Sequence, residues 1–114
     1  MIWNKRRKII EHPHNTYHKL EDVIGCKWSV SVLLAVGEGV HRPGALERHI
    51  EGISAKVLSE RLRKLTRYGL LEKRSFPEIP PRTEYSLTLS GYKLIAIIQQ
   101  INDLDGKLRK AGND

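Results

Sequence analysis

Apolar residues recur along this chain with a helical period in five places and a strand-like period in two. Tyr17, Leu20 and Ile24 fall at i, i+3 and i+7, which predicts a short helix stopping at Gly25. The next segment is ambiguous. Ser29-Val30-Ser31-Val32 alternates like a strand, yet Trp28, Val32, Leu33 and Val36 share one helical face, and Gly37 offers a C′ stop. We read it as a helix with Trp28 as a core anchor. Pro43, suited to a first helical position, opens a short helix that turns Leu46 and Ile50 inward.

The clearest element follows Glu51-Gly52-Ile53. Ser54 is a good N-cap, Ile53 and Leu58 form a hydrophobic staple, and Leu58, Leu62 and Leu65 repeat at i, i+4 and i+7 until Gly69 closes the helix. Its opposite face carries Lys56, Ser59, Glu60, Arg63 and Arg67. Leu70 to Ser75 and Thr83 to Leu87 read as strands. The intervening Phe76-Pro77-Glu78-Ile79-Pro80-Pro81 holds too many prolines for a two-residue hairpin, so it predicts a protruding loop flanked by Arg74 and Arg82. Thr88 then caps a long helix with Leu94, Ile97, Ile98, Ile101, Leu104 and Leu108 on one stripe. A helix of about twenty residues is ~30 Å long, so its distal half should overrun a small domain. A second copy is the simplest cover, because two-fold dimers are the commonest oligomers. Tyr17, Leu20, Ile97, Ile101, Leu104 and Leu108 are the expected dimer contacts.

After the first short helix, three helices, a strand, a stiffened loop, a strand and a long helix make an α+β, mainly α, fold. That order is a winged helix-turn-helix with a two-stranded β wing and a long C-terminal dimerisation helix. Residues 15–111 are expected to form it, behind a basic arm at 1–14 that holds Lys5, Arg6, Arg7 and Lys8 and serves as a solubilising tail or a supplementary phosphate contact.

Charge sharpens the picture. Twenty Lys and Arg against thirteen Asp and Glu give a formal +7, which favours a polyanionic partner through counterion release. A single cysteine excludes an internal disulfide framework and a cysteine-rich zinc ribbon, and fits a reducing compartment. No apolar run has signal-peptide length or the ~20 residues needed to span a bilayer, so a cytoplasmic location and no membrane partner are expected. His12, His14 and His18 invite a metal reading, but Pro13 interrupts their helix and nothing completes a ligand set, so neither metal nor cofactor is expected. No nucleophile-base-acid arrangement or glycine-rich phosphate loop stands out, and we do not expect an enzyme.

A capped helix that is apolar behind and cationic in front can enter a major groove about 12 Å wide. On this reading Ser54, Lys56, Ser59, Glu60 and Arg63 meet double-stranded DNA from the recognition helix. Arg74 and Arg82 approach the neighbouring minor groove from the wing, and Arg42 and Lys27 flank the contact. A solvated helix face is the plainer meaning of such a stripe; the net charge and the wing together favour DNA. Arg61 and Lys64, on the flanks, are phosphate clamps or partners for Glu47 or Glu60. Arg82 and Glu84 also read as a wing-internal pair. The competing class is a winged-helix protein–protein module whose positive charge is incidental.

Five blocks carry a family resemblance: Asp22 to Trp28, Gly52 to Leu58, Leu62 to Leu65, Tyr68 to Leu71, and Pro77 to Thr88. In this order and spacing, over roughly residues 17–101, the chain resembles the HxlR-type winged-helix regulators of the MarR-like superfamily. The resemblance implies a homodimeric transcriptional regulator on a pseudo-palindromic operator, with recognition helix 54–67, wing at about 75–83, and a dimer interface from first and last helices. The chain departs from the pattern where family members commonly carry a cysteine, close to Asn15 here. Cys26 instead stands where a second glycine is usual, and Pro43 where an aromatic is common. Cys26 lies beside Lys27 near a helix N-terminus, where cation and dipole favour a thiolate. It is therefore a candidate redox sensor, or simply a small residue packed in a turn. A small-molecule or redox effector is the expected signal.

Overall fold

Six buried side chains from two helices, Val32, Leu33 and Val36 with Leu58, Leu62 and Leu65, form the centre of the core. Residues 14–113 are described by a computed structural model. The basic arm and His12 lie outside them, and so do the side chains of His14 and Tyr17.

Helix α1, His14–Ile24, ends where the Gly25 N–H bonds the Glu21 carbonyl. Helix α2, Lys27–Gly37, resolves the ambiguous segment in favour of the helix. It is central, so Ser29, Val32, Leu33, Ala35 and Val36 are all buried, and local strand propensity yields to packing on several sides. Two expectations need correction here. Gly37 is the last helical residue rather than a left-handed stop; the chain turns at Gly39, whose φ is +104°. Gly37 matters for close approach, since a Cβ there would lie 2.9 Å from Ile95 Cδ1. Trp28 is half-buried and packs against the edge of the core rather than anchoring its centre.

Helix α3, Pro43–His49, begins with the expected proline and buries Leu46 completely. Helix α4, Ala55–Arg67, starts as its sequence demands: Ser54 Oγ accepts the Val57 N–H at 3.1 Å. Leu58, Leu62 and Leu65 are at most 3% exposed, each stabilising the fold by roughly 1.5–3 kcal/mol relative to an exposed side chain. Tyr68 ends the helix and Gly69 follows with φ +80°.

Strands β1, Leu71–Phe76, and β2, Arg82–Leu87, form an antiparallel hairpin running in register from Leu71 opposite Leu87 to Phe76 opposite Arg82. Residue 41 pins it to the helices. The Tyr85 N–H donates to the His41 carbonyl at 2.8 Å, and His41 Nδ1 donates to the Tyr85 carbonyl at 2.8 Å.

Helix α5, Leu89–Asn113, is capped by Thr88, whose Oγ1 accepts the Gly91 N–H at 3.1 Å and donates to the Gly69 carbonyl. Leu94 and Ile98 enter the core. The continuous apolar stripe read in the sequence divides there. Ile97, Ile101, Leu104 and Leu108 are 43–61% exposed, and no residue from Gln99 to Gly112 is buried. Fold and sequence agree on a mainly helical winged helix-turn-helix with a long final helix.

Candidate nucleic-acid interface

Helix α4 presents the charged side chains of Lys56, Glu60, Arg63 and Arg67, together with Ser59, on its exposed face. The spacing of the three buried leucines dictates this, because each successive pair brackets positions about 180° away around the helix. Ser54 is exposed, but its hydroxyl is occupied by the cap. Among the described residues, Lys56, Glu60 and Arg63 have no ion-pair partner. Their charges are available to something else.

Lys64 is not available. Its Nζ donates to Asp22 Oδ2 at 2.8 Å, joining α4 to α1, and the Tyr68 hydroxyl donates to the same oxygen at 3.2 Å. The partner is thus Asp22, not Glu47 or Glu60, because α1 packs beside this flank. The Lys64 hydrogen bond, reinforced by its charge and the Tyr68 hydroxyl, holds the Asp22 carboxyl below the usual carboxylate range despite some desolvation. Arg61 is half-buried, with a shielded Nε that has no hydrogen-bond partner among the described residues.

The wing places its arginines differently. Arg74 is exposed on β1, opposite Glu84 in the register. Arg82 is held within the wing: it sits 3.1 Å from Glu78 and 3.4 Å from Glu84, with its guanidinium 4.0 Å from the Phe76 ring centroid. Glu84 also reaches Arg42, 3.7 Å away, so one carboxylate links the wing to the N-cap of α3. The wing-internal reading of Arg82 and Glu84 is the one this geometry favours. Lys27 is exposed and lies over the Trp28 ring, 4.9 Å from its centroid.

Cys26 occupies the N-cap position of α2 and borders an open depression shared with Asp22 and Tyr68. Burial alone would raise its thiol pKa. Ser29's side chain and backbone, the Trp28 backbone and the charge of Arg61 outweigh that and bring it below the ordinary value. The cation involved is Arg61 rather than the adjacent Lys27, which is drawn to the indole.

Of the expected dimer residues, Ile97, Ile101, Leu104 and Leu108 line the uncovered side of α5. Leu20 packs partly against the core of its own chain, and Tyr17's side chain lies outside the described residues. Sequence reasoning missed Lys73 and Tyr85, which line a groove beside α4, and His41, which holds the Tyr85 backbone. The signal was present for two of them, since 71/73 and 85/87 share faces by strand alternation.

Comparison with known proteins fits this architecture. The model for the HxlR-like helix-turn-helix matches residues 23–112. The HTH-type transcriptional regulator YtfH of Escherichia coli is 38% identical over 77 residues, covering 68% of this chain and 61% of its own length. YkvN of Bacillus subtilis is 37% identical over 81 residues, covering 71% of this chain and 69% of its own. Among solved structures, a MarR-family regulator from Enterococcus faecalis superposes with TM-score 0.77 at 31% identity, over 88% of this chain and 91% of that one. The redox regulator HypR in its reduced form gives 0.69 at 29% identity, over 81% and 91% respectively. No helix among the described residues is long and apolar enough to cross a membrane. With a matching family model across most of its length and the wing and α4 geometry in place, the chain belongs to the HxlR-like helix-turn-helix family of transcriptional regulators.

Proposed function

We propose that the chain binds double-stranded DNA in a sequence-specific way as a homodimer and regulates transcription in the cytoplasm. The observation that carries this is the face of α4. It holds exposed cations without carboxylate partners on a helix fixed to the core by three leucines and by a satisfied N-cap. Free charge on a rigid, narrow element suits major-groove readout, with Lys56 and Glu60 able to meet base edges and Ser54 and Ser59 allowing close approach. Arg74 supplies the exposed wing charge, Arg42 and Lys27 flank the contact, and Arg82 chiefly sets the wing's orientation.

The uncovered stripe of α5 completes the reading. Ile97, Ile101, Leu104 and Leu108 extend past the core, and a two-fold partner would bury them while setting two α4 helices about 34 Å apart on a pseudo-palindromic operator. Cys26, with its favoured thiolate, is the candidate point for a redox or electrophile signal; HypR is named a redox regulator.

A salt-titrated gel shift against duplexes selected from random sequence tests the function. Tight binding to one selected site, weakened about tenfold or more by Lys56→Ala, is the expected result. Absence of duplex binding even at low salt would instead favour a protein–protein module.

A further inference from the structure

A groove of about 330 Å³ runs between α4 and the wing hairpin, lined by Ser59, Arg63, Thr66, Arg67, Lys73 and Tyr85. Tyr85 is the informative member. Its residue is only 9% exposed, yet its hydroxyl has no hydrogen-bond partner among the described residues and borders this groove. The ring is packed away, but the hydroxyl is not among the shielded unpaired atoms: it opens into the groove, where a ligand can meet it. Both backbone polar groups of Tyr85 are held by His41 at 2.8 Å, so the ring is fixed in place from behind. Lys73 stands directly opposite Tyr85 in the hairpin register and therefore on the same face.

The electrostatics are one-sided. Arg63 and Lys73 have no ion pair among the described residues, Arg67 stacks toward the Tyr68 ring, and no carboxylate lines the groove. Burial raises the Tyr85 phenol pKa against the smaller opposing effect of Arg63, so the hydroxyl stays protonated and can donate. A donor hydroxyl amid unpaired cations suits an anion of phosphate chemistry.

We infer that this groove is a phosphate clamp, in which Tyr85 Oη donates to one backbone phosphodiester of duplex DNA while Arg63 and Lys73 neutralise it. This rests on the DNA-binding reading and deepens it. Arg63 then positions the duplex, and sequence is read nearer the Lys56 end of α4. The Tyr85 hydroxyl is kept for a ligand and is dispensable for folding.

The experiment compares full-length wild type, Tyr85→Phe and Lys73→Gln by fluorescence anisotropy on the selected duplex and on a scrambled one, across a salt series. Tyr85→Phe keeps the ring, so its melting temperature should match or exceed that of wild type. Its affinity for both duplexes should fall by the same factor, about tenfold, leaving the ratio between them unchanged. Lys73→Gln should reduce the slope of log affinity against log salt by about 1. Wild-type affinity in Tyr85→Phe, an unchanged slope in Lys73→Gln, or a collapse of the specific-to-scrambled ratio would each overturn the clamp. If Lys56→Ala still loses operator affinity in that case, the DNA-binding reading stands without it. Saturation of the groove by millimolar inorganic phosphate at constant ionic strength would make it a free-anion site and likewise overturn the inference. Failure of wild type to bind either duplex removes both readings together.

Discussion

Replacing Gly91 with alanine should unseat the long helix from the rest of the domain. Gly91 is buried in the first turn of α5, against the start of the hairpin. A Cβ added there would collide with the Leu70 backbone carbonyl oxygen, and would lie 3.0 Å from Leu87 Cδ2 and 3.3 Å from the Leu70 carbonyl carbon. Two of these three atoms are backbone, so no rotamer change relieves the overlap. The helix must move, and the Thr88 bond to the Gly91 N–H moves with it. Overpacking of this kind costs about 1–3 kcal/mol or more. The intrinsic helix preference for alanine opposes it by only ~1 kcal/mol. The net is a destabilisation of up to about 2 kcal/mol, or up to roughly 10 °C in Tm for a chain of this size. Gly106 provides the control on the same helix: it is exposed and nothing lies within 4 Å of its added Cβ. Gly106→Ala should therefore gain up to ~1 kcal/mol from propensity alone. Calorimetry at one fixed protein concentration reads both, because any self-association makes Tm concentration-dependent. Equal Tm shifts of the same sign would refute the steric argument.

Further expectations follow from other contacts. Ser54→Ala should destabilise the fold by about 1 kcal/mol in urea unfolding, through loss of the hydroxyl that accepts the Val57 N–H. Asp22 titrates below its ordinary value in the folded chain, so its contribution is present above pH 3.8 and is lost as pH falls through the lower folded value. Asp22→Asn should flatten that acid limb. Its side chain is 44% exposed, so solvent screening limits the change at neutral pH to about 0.2–1 kcal/mol in pH-resolved denaturation. Leu104→Glu, on the uncovered side of α5, should leave the monomer's far-UV circular dichroism intact and give a monomeric mass by light scattering; a mass equal to that of wild type would argue against this dimer face.

How much was legible in the sequence depended on whether local and global preferences agreed. At Ser54 and Leu58 to Leu65 they did, so cap, period and buried face coincide with the structure. At Ser29 to Val32 they conflicted: β-branched alternation read as a strand, and only burial on several sides of a central helix decided otherwise. Gly37 misled for a related reason. Glycine serves both turns and close approach, and only the three-dimensional position of Ile95 separates the two. The candidate site shows the same division. Lys56 and Arg63 were visible because helical spacing alone places them outside. The pairing of Lys64 with Asp22 spans 42 positions, and that of Arg42 with Glu84 spans the same number, so neither has a local signature. Tyr85 was hidden by its chemistry, since a strand tyrosine usually signals packing.

The continuity of α5 has a mechanical consequence. One unbroken rod of 25 residues, about 37 Å long, carries the hairpin seat at one end and the uncovered apolar stripe toward the other. In a dimer joined through that stripe, the rod acts as a lever whose fulcrum is the two-fold axis. A rotation of about 5° at the fulcrum displaces the hairpin end, roughly 22 Å away, by ~2 Å, so two such ends moving oppositely change their separation by about the ~3.4 Å step between base pairs. Small repacking among Ile101, Leu104 and Leu108 would thereby shift the phase between the two reading heads by nearly a whole base pair.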